Sequence, residues 1–260
     1  MESLYVIKIG GNIVDNPSLL TKCLQAFANL RGQAILVHGG GKLATSLATD
    51  MGVQQTMIEG RRVTDSETLK IVTMVYAGYI NKNIVAQLQI LGVNAIGLTG
   101  ADGNLIQAHK RIHPTIDYGF VGDVDKINCE LIQTLIAHPM RLVIAPITHD
   151  KQGQLLNTNA DTIAQSIAVA MAAQYEVHLI YGFEKDGVLA DMNDPNSTIT
   201  KIDSTNYLQL KAAHTIFEGM IPKIDNAFKA LEGGVQSVII GKAEKMNELI
   251  NGTAGTTIKI

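Results

Sequence analysis

The chain has 260 residues, 46% of them hydrophobic and 17% charged. That is material for one large domain or two small ones and excludes a disordered or collagen-like chain. With 21 Lys+Arg against 24 Asp+Glu the net charge is -3, which gives no general attraction for nucleic acid or an anionic membrane.

Leu4–Ile9 is short, apolar and β-branched, and reads as a buried strand closed by Gly10-Gly11. Asn16-Pro17 reads as an N-cap and first helical position, with Leu20, Leu24, Phe27 and Leu30 at helical spacing. Ala34–Val37 is a second strand, ending in His38-Gly39-Gly40-Gly41, with a helix through about Met51. This strand–helix–strand–helix order predicts a parallel sheet with right-handed crossovers. Met57–Val63, centred on Glu59-Gly60, predicts a hairpin, and Ser66–Leu91 one long helix with Tyr76 and Tyr79 as core residues. Ala95–Leu98 is a strand, His109–Asp125 a second hairpin and Arg141–Ala145 a buried strand. In the second half, Asp161–Ala173 is helical, Val177–Ile180 a strand ending at Tyr181-Gly182, and Ser204–Ala213 and Lys223–Leu231 are helices. Val235–Ile240 and Thr256–Ile260 are the closing strands. One domain over 1–260 is expected, with lobes of about 1–150 and 151–260.

No apolar run approaches the ~20 residues that span a bilayer, and no signal peptide is visible. Cys23 and Cys129 stand in no CxxC or Cys/His spacing. They predict reduced thiols in a cytoplasmic protein and no metal site.

Glycines close three of the strands. In a parallel α/β sheet ligands bind where strands end and helices begin, and the helix N-terminus supplies free N–H groups suited to phosphate or carboxylate. Residues 39–44 also match GxGxxG/A, with Glu59 about twenty residues on, but the fingerprint belongs after the first strand of its unit, and an earlier glycine-ended strand precedes this one. Neither Gly-Lys pair, at 41–42 or 241–242, has the spacing of a Walker A motif.

Lys8-Ile9-Gly10-Gly11 with His38-Gly39-Gly40-Gly41 resembles the amino acid kinase superfamily. Gly60-Arg61-Arg62-Val63-Thr64, Asn157-Thr158-Asn159-Ala160-Asp161 and Gly219-Met220-Ile221-Pro222-Lys223 narrow the resemblance to its N-acetylglutamate kinase family. It spans nearly the whole chain. It implies a three-layer αβα sandwich with a mainly parallel sheet of about eight strands. The implied reaction is ATP-dependent phosphorylation, in arginine biosynthesis, of the side-chain carboxylate of an N-acylglutamate such as N-acetyl- or N-succinyl-L-glutamate. The N-terminal lobe would hold the acylglutamate and the C-terminal lobe ATP, with Mg2+ held mainly by the phosphates.

The resemblance also implies roles. Lys8 and Lys223 would stabilise the transferring phosphoryl group, and Asp161 would orient both. Arg62 would clamp the substrate α-carboxylate. Asn157 would hydrogen-bond the acylglutamate, and the backbones of Gly40 and Gly41 would hold its reacting carboxylate. Asn159 either assists or caps the next helix. Gly10 and Gly11 would admit phosphate oxygens. Tyr181, Gly182, Phe183, Gly187 and Val188 occupy the nucleotide loop, where this chain keeps only the Gly-Val end of the family's pattern. Arg61 or Lys110 is a spare cation for a dicarboxylic acyl group. His38 reads as a structural hydrogen-bonding residue. A homodimer through the 66–91 helix is implied, and, without the N-terminal helix of arginine-inhibited members, one not inhibited by arginine. The rivals are another kinase of the superfamily, acting on aminoadipate, aspartate, carbamate or a nucleoside monophosphate, or a non-catalytic sensor of nucleotides or amino acids.

Overall fold

The computed structural model describes the whole chain except residues 59, 60, 192, 195, 214 and 217–219 and the side chain of residue 222. β1 (Ser3–Ile9) leads through the short α1 (Gly11–Val14) to α2 (Pro17–Ala28), whose N-cap Asn16 accepts from the Leu19 N–H at 3.1 Å. β2 (Gln33–His38) leads into α3 (Gly41–Asp50). The short antiparallel pair β3 (Met57–Ile58) and β4 (Arg61–Arg62) follows; Glu59 and Gly60, the expected hairpin centre, lie outside the described residues. Next come α4 (Ser66–Thr73), a π-helical segment (Met74–Ile80) and α5 (Asn81–Ile90), end to end. β5 (Ala95–Leu98), β6 (Ile106–Lys110), β7 (Val121–Ile127), α6 (Cys129–Ile136), β8 (Arg141–Ile144), β9 (Ile147–His149) and β10 (Leu155–Thr158) complete the first part. The second part holds α7 (Ala160–Met171), β11 (Glu176–Phe183), β12 (Val188–Leu189), β13 (Thr198–Ile199), β14 (Lys201–Ile202), α8 (Ser204–Ala212), α9 (Ile221–Glu232), β15 (Ser237–Lys242), α10 (Met246–Ile250) and β16 (Thr256–Ile258).

Eight strands form one sheet in the order β14-β16-β15-β11-β1-β2-β8-β5. It is parallel except where β16 runs against β15. The expected mainly parallel, eight-stranded αβα sandwich is what the chain builds. A second sheet accompanies it: β10-β7-β6-β9 close into a small barrel beside the carboxyl ends of the main strands. The ladder also corrects one strand end. β11 continues through Tyr181 and Gly182 to Phe183, because Gly182 pairs with Ile9 on one side and Gly241 on the other.

Side chains alternate along a strand, so each strand feeds two cores. Leu4 and Val6 pack with Leu179 and Tyr181 under α7 and α9. Ile7 and Ile9 face the opposite side, under α2 and the long 66–90 helix. Lys8 falls on the same side of β1 as Leu4 and Val6, the side of α7 and α9. Tyr76 is a core residue at 6% exposed, as expected, whereas Tyr79 is 65% exposed.

The barrel is tied to the β3–β4 segment by a bridge between Thr64 and Gly119. Thr64 N–H donates to the Tyr118 carbonyl at 2.9 Å, and Phe120 N–H donates to the Thr64 carbonyl at 2.6 Å. Gly119 has φ +68, and a Cβ there would lie 2.1 Å from the Thr64 carbonyl oxygen, a backbone atom held by the bridge. Gly119→Ala is therefore expected to cost about 3 kcal/mol or more in a urea melt. A loss under about 0.5 kcal/mol would show that this junction yields freely.

Candidate active site

The carboxyl ends of β1 and β2 bring two glycine loops together. A Cβ on Gly11 would lie 3.5 Å from the Gly41 nitrogen and 3.7 Å from that of Gly40. α3 begins at Gly41 with Gly40 as N-cap and no side-chain cap, so its first N–H groups stay available to an anion. Gly40 has φ +153, and a Cβ there would meet Ile80 Cδ1 at 2.2 Å. Only glycine lets this loop pass so close under the π-helical segment.

His38 anchors the same loop. It is fully buried, with Nδ1 2.8 Å from the Gly39 carbonyl and Nε2 3.2 Å from the Asn81 amide nitrogen. A carbonyl only accepts and an NH2 only donates, so Nδ1 carries the proton and Nε2 accepts. Burial pushes its pKa down to about 4, which keeps the ring neutral. The Asn81 amide also donates to the Val143 carbonyl at 3.0 Å, tying the loop to β8. This supports the structural reading of His38; Asn81 was not singled out in the sequence.

The loops open on a cleft of about 230 Å³. Of the expected site residues it is lined by Lys8, Gly11, Gly40, Gly41, Arg62, Asn157, Asn159 and Asp161. Arg61, Tyr76, Val121, Pro146 and Thr158 also line it. Of these, Arg61 and Thr158 belong to segments that carry the resemblance. Arg62 is 8% exposed. Its Nη2 donates to the Gly41 carbonyl and to Thr45 Oγ1, both at 2.9 Å, and its Nη1 donates to Gln55. Asn157 donates from Nδ2 to Thr64 Oγ1 at 3.0 Å. Asn159 is the N-cap of α7, accepting from the N–H groups of Asp161 and Thr162 at 2.8 and 3.1 Å. Its side-chain oxygen is thereby committed to the helix.

Asp161, in the first turn of α7, sits between two ammonium groups. Lys8 Nζ is 2.8 Å from Oδ1, an ion-pair contact without the alignment of a hydrogen bond, and Lys223 Nζ donates to Oδ2 at 2.7 Å. The three residues come from β1, α7 and α9, and the side-chain exposures of Lys8, Asp161 and Lys223 are 12%, 14% and 26%. Burial works to raise the Asp161 pKa, but the two lysines overcome it and hold the carboxyl well below its usual range. The Lys8 pKa is lowered, by burial first and by Lys223 after it, against the pull of Asp161. A Cβ on Gly10 would lie 3.8 Å from Lys8 Nζ, so that ammonium lies over the first glycine loop.

The expected nucleotide-loop residues are placed differently. Tyr181 is 2% exposed, next to Lys8 across the β1–β11 ladder. Its hydroxyl has no hydrogen-bond partner among the described residues, and burial together with Asp161 raises its pKa. Gly182 and Gly187 are buried at close approaches: a Cβ would lie 2.9 Å from Ala243 Cβ and 2.6 Å from the Thr256 hydroxyl, respectively. Val188 is 1% exposed, while Phe183 is half-buried. Packing accounts for these glycines. Lys110 lies away from the cleft, 3.3 Å from Asp117. Gly219 lies outside the described residues.

Comparison with known proteins gives the family. The sequence profile of the amino acid kinase family matches residues 3–242. The chain is 52% identical to the acetylglutamate kinase of Cytophaga hutchinsonii over 261 residues, covering 99% of each. It is 52% identical to that of Parabacteroides distasonis over 248 residues, covering 95% of this chain and 97% of the relative. Among solved structures, smu.665 from Streptococcus mutans UA159 superposes with a TM-score of 0.78 at 31% identity, over 99% of this chain and 98% of the other. The chain belongs to the amino acid kinase family, alongside the acetylglutamate kinases.

Proposed function

We propose that the protein transfers the γ-phosphoryl group of ATP to the side-chain carboxylate of N-acetyl-L-glutamate, in arginine biosynthesis. The observation that carries this reading is the Lys8–Asp161–Lys223 cluster at the cleft, beside the two glycine loops.

A carboxylate nucleophile is already an anion and needs no general base. The obstacle is repulsion between it and the phosphates, so the useful groups are cations and backbone N–H donors held in place beforehand. Lys8 and Lys223 offer two ammoniums on one carboxylate, and Asp161 sets their spacing. Arg62 holds the substrate α-carboxylate while Asn157 and the N–H groups of Gly40 and Gly41 orient the rest, with Asn159 shaping the wall between them. Gly10 and Gly11 leave room for phosphate oxygens. The nucleotide lies on the α9 side, over the floor formed by Tyr181, Gly182, Gly187 and Val188, with Phe183 offering the partly exposed ring. The two lobes, about 1–150 and 151–260, then hold one substrate each. Among the described residues the carboxylate lining the cleft is Asp161, which is paired with ammoniums, so Mg2+ arriving with ATP would be held by phosphate oxygens and water.

Arg61 lines the cleft beside Arg62. This second guanidinium favours an acyl chain ending in a carboxylate, as in N-succinylglutamate, as the alternative substrate. The protein works in the cytoplasm, where its two free thiols persist. It pairs as a homodimer through the 66–90 helix, which carries exposed Met74, Tyr79 and Ile90.

Trapping the acyl phosphate as its hydroxamate tests the reaction. Wild-type protein with ATP and N-acetylglutamate or N-succinylglutamate is expected to give product, and glutamate or aminoadipate little. Lys8→Ala is expected to lower kcat by roughly 10²–10³, about 2.7–4 kcal/mol, by analogy with loss of one oxyanion donor. Near-normal turnover by that variant refutes the assignment.

Asp161→Asn leaves two ammoniums side by side without their counter-charge, which is expected to cost about 3–5 kcal/mol. The folded pKa of Asp161 lies below its unfolded value of about 3.9, so its contribution is fully present above that pH and lost as pH falls towards the folded pKa. Urea melts are therefore expected to show a stability gap between wild type and variant that is flat from about pH 5 to about pH 7 and narrows below about pH 4. A gap that widens on acidification would reverse the sign.

Light scattering on the eluting protein is expected to give twice the chain mass of 28.0 kDa, and Tyr79→Glu to shift it towards the single-chain value. A wild type that elutes as one chain removes the dimer.

A further inference from the structure

The long helix buries Thr68, Val72, Tyr76, Ile80, Ile84 and Leu88, a repeat of four residues. At 3.6 residues per turn, each step of four overshoots by about 40°, so five steps would carry the buried stripe roughly 200° around an ordinary α-helix. The wider turn of the π segment Met74–Ile80 rotates the stripe back. It thereby keeps Tyr76 and Ile80 on the glycine loop. Ile80 meets Gly40, as described, and Tyr76 reaches the cleft: a Cβ on Gly41 would lie 4.0 Å from its hydroxyl oxygen.

The hydroxyl sits among groups that suit an anion. On one side is the N-terminus of α3, and on the other the Arg62 guanidinium. Burial raises the phenol pKa against the opposing pull of Arg62, so the group stays protonated. Arg62 has only N–H donors, so towards Arg62 the phenol oxygen accepts. Its own proton is left to donate elsewhere. Of the neighbouring acceptors, the Gly41 carbonyl and Thr45 Oγ1 already take hydrogen bonds from Arg62, while the Asp15 carboxylate acts on the phenol through its charge.

We propose that Tyr76 is a further substrate-binding residue, whose hydroxyl donates a hydrogen bond to a carboxylate of the acylated amino acid held between α3 and Arg62. This rests on the kinase reading above. The contact is made to bound substrate and transition state alike, so it sets affinity rather than turnover.

Steady-state kinetics of wild type and Tyr76→Phe test it, with N-acetylglutamate and ATP varied in turn. The ring is kept, so packing on Gly40 survives. The expected result is a KM for N-acetylglutamate raised roughly tenfold or more, as for loss of a hydrogen bond to a charged group. The KM for ATP and kcat should stay within about twofold. An unchanged KM for N-acetylglutamate, or an equal rise for ATP, overturns the proposal, the second pointing to a merely structural role. Calorimetric titration of N-acetylglutamate into both proteins repeats the comparison without turnover. A wild type that binds the acylglutamate but forms no hydroxamate refutes the kinase reading, and the ratio of the two Kd values still decides the tyrosine's role.

Discussion

One carboxylate carries the site. Two ammoniums brought side by side in a half-closed cleft repel each other and lose hydration, and neither loss is tolerable without a counter-charge between them. Asp161 supplies it, and its depressed pKa is the measure of that attraction. The fold makes the meeting possible through strand alternation. Lys8 lies on the face of β1 that is covered by α7 and α9, and those two helices bring Asp161 and Lys223. A one-residue slip of β1 would send Lys8 to the opposite core.

The glycine loops are a second, independent constraint. They must bring backbone N–H groups to the cleft and yet pack against one another and against the long helix. Gly40 satisfies both by its positive φ and its lack of a Cβ under Ile80. His38 holds the loop from below through a neutral ring, whose two nitrogens are assigned opposite roles by the Gly39 carbonyl and the Asn81 amide. Site geometry here depends on buried neutral hydrogen bonds as much as on the charged cluster. A charged His38 would lose the acceptor that Asn81 needs.

Much of this was legible in the chain because it is local. The glycine-closed strands, the Asn16 cap and the helix at 66–90 each follow from a few adjacent residues. The cluster of Lys8, Asp161 and Lys223 came from the pattern of the resemblance, since no spacing rule joins residues so far apart. What stayed hidden depends on distant pairing. β9 and β10 are three and four residues long and exist through the barrel they close. β11 runs past Tyr181 because neighbouring strands pair with Gly182, overriding glycine's usual role as a terminator. Gly182 and Gly187 are also held by tight packing against residues far along the chain, a constraint that no local pattern carries. The π segment left a trace in the periodicity: six buried positions, each four residues from the next, do not suit an unbroken α-helix.

The electrostatics of the cleft suit the proposed reaction before any substrate arrives. Burial and Lys223 lower the Lys8 pKa against the pull of Asp161, so the balance is a strained one. In the proposed reaction an entering phosphoryl group adds negative charge next to two ammoniums that share the Asp161 carboxylate. It relieves their mutual repulsion as it is itself stabilised. Because the lysines are positioned before the substrates arrive, little reorganisation is left for the moment of transfer, and that is where fixed charges exceed water in stabilising a transition state. A neutral residue at 161 would keep both cations but lose the charge that spaces them, and a single lysine beside Asp161 would leave no surplus charge. In the proposed reaction the arrangement needs all three residues, which is why the carboxylate, though it need not touch either substrate, belongs to that proposal.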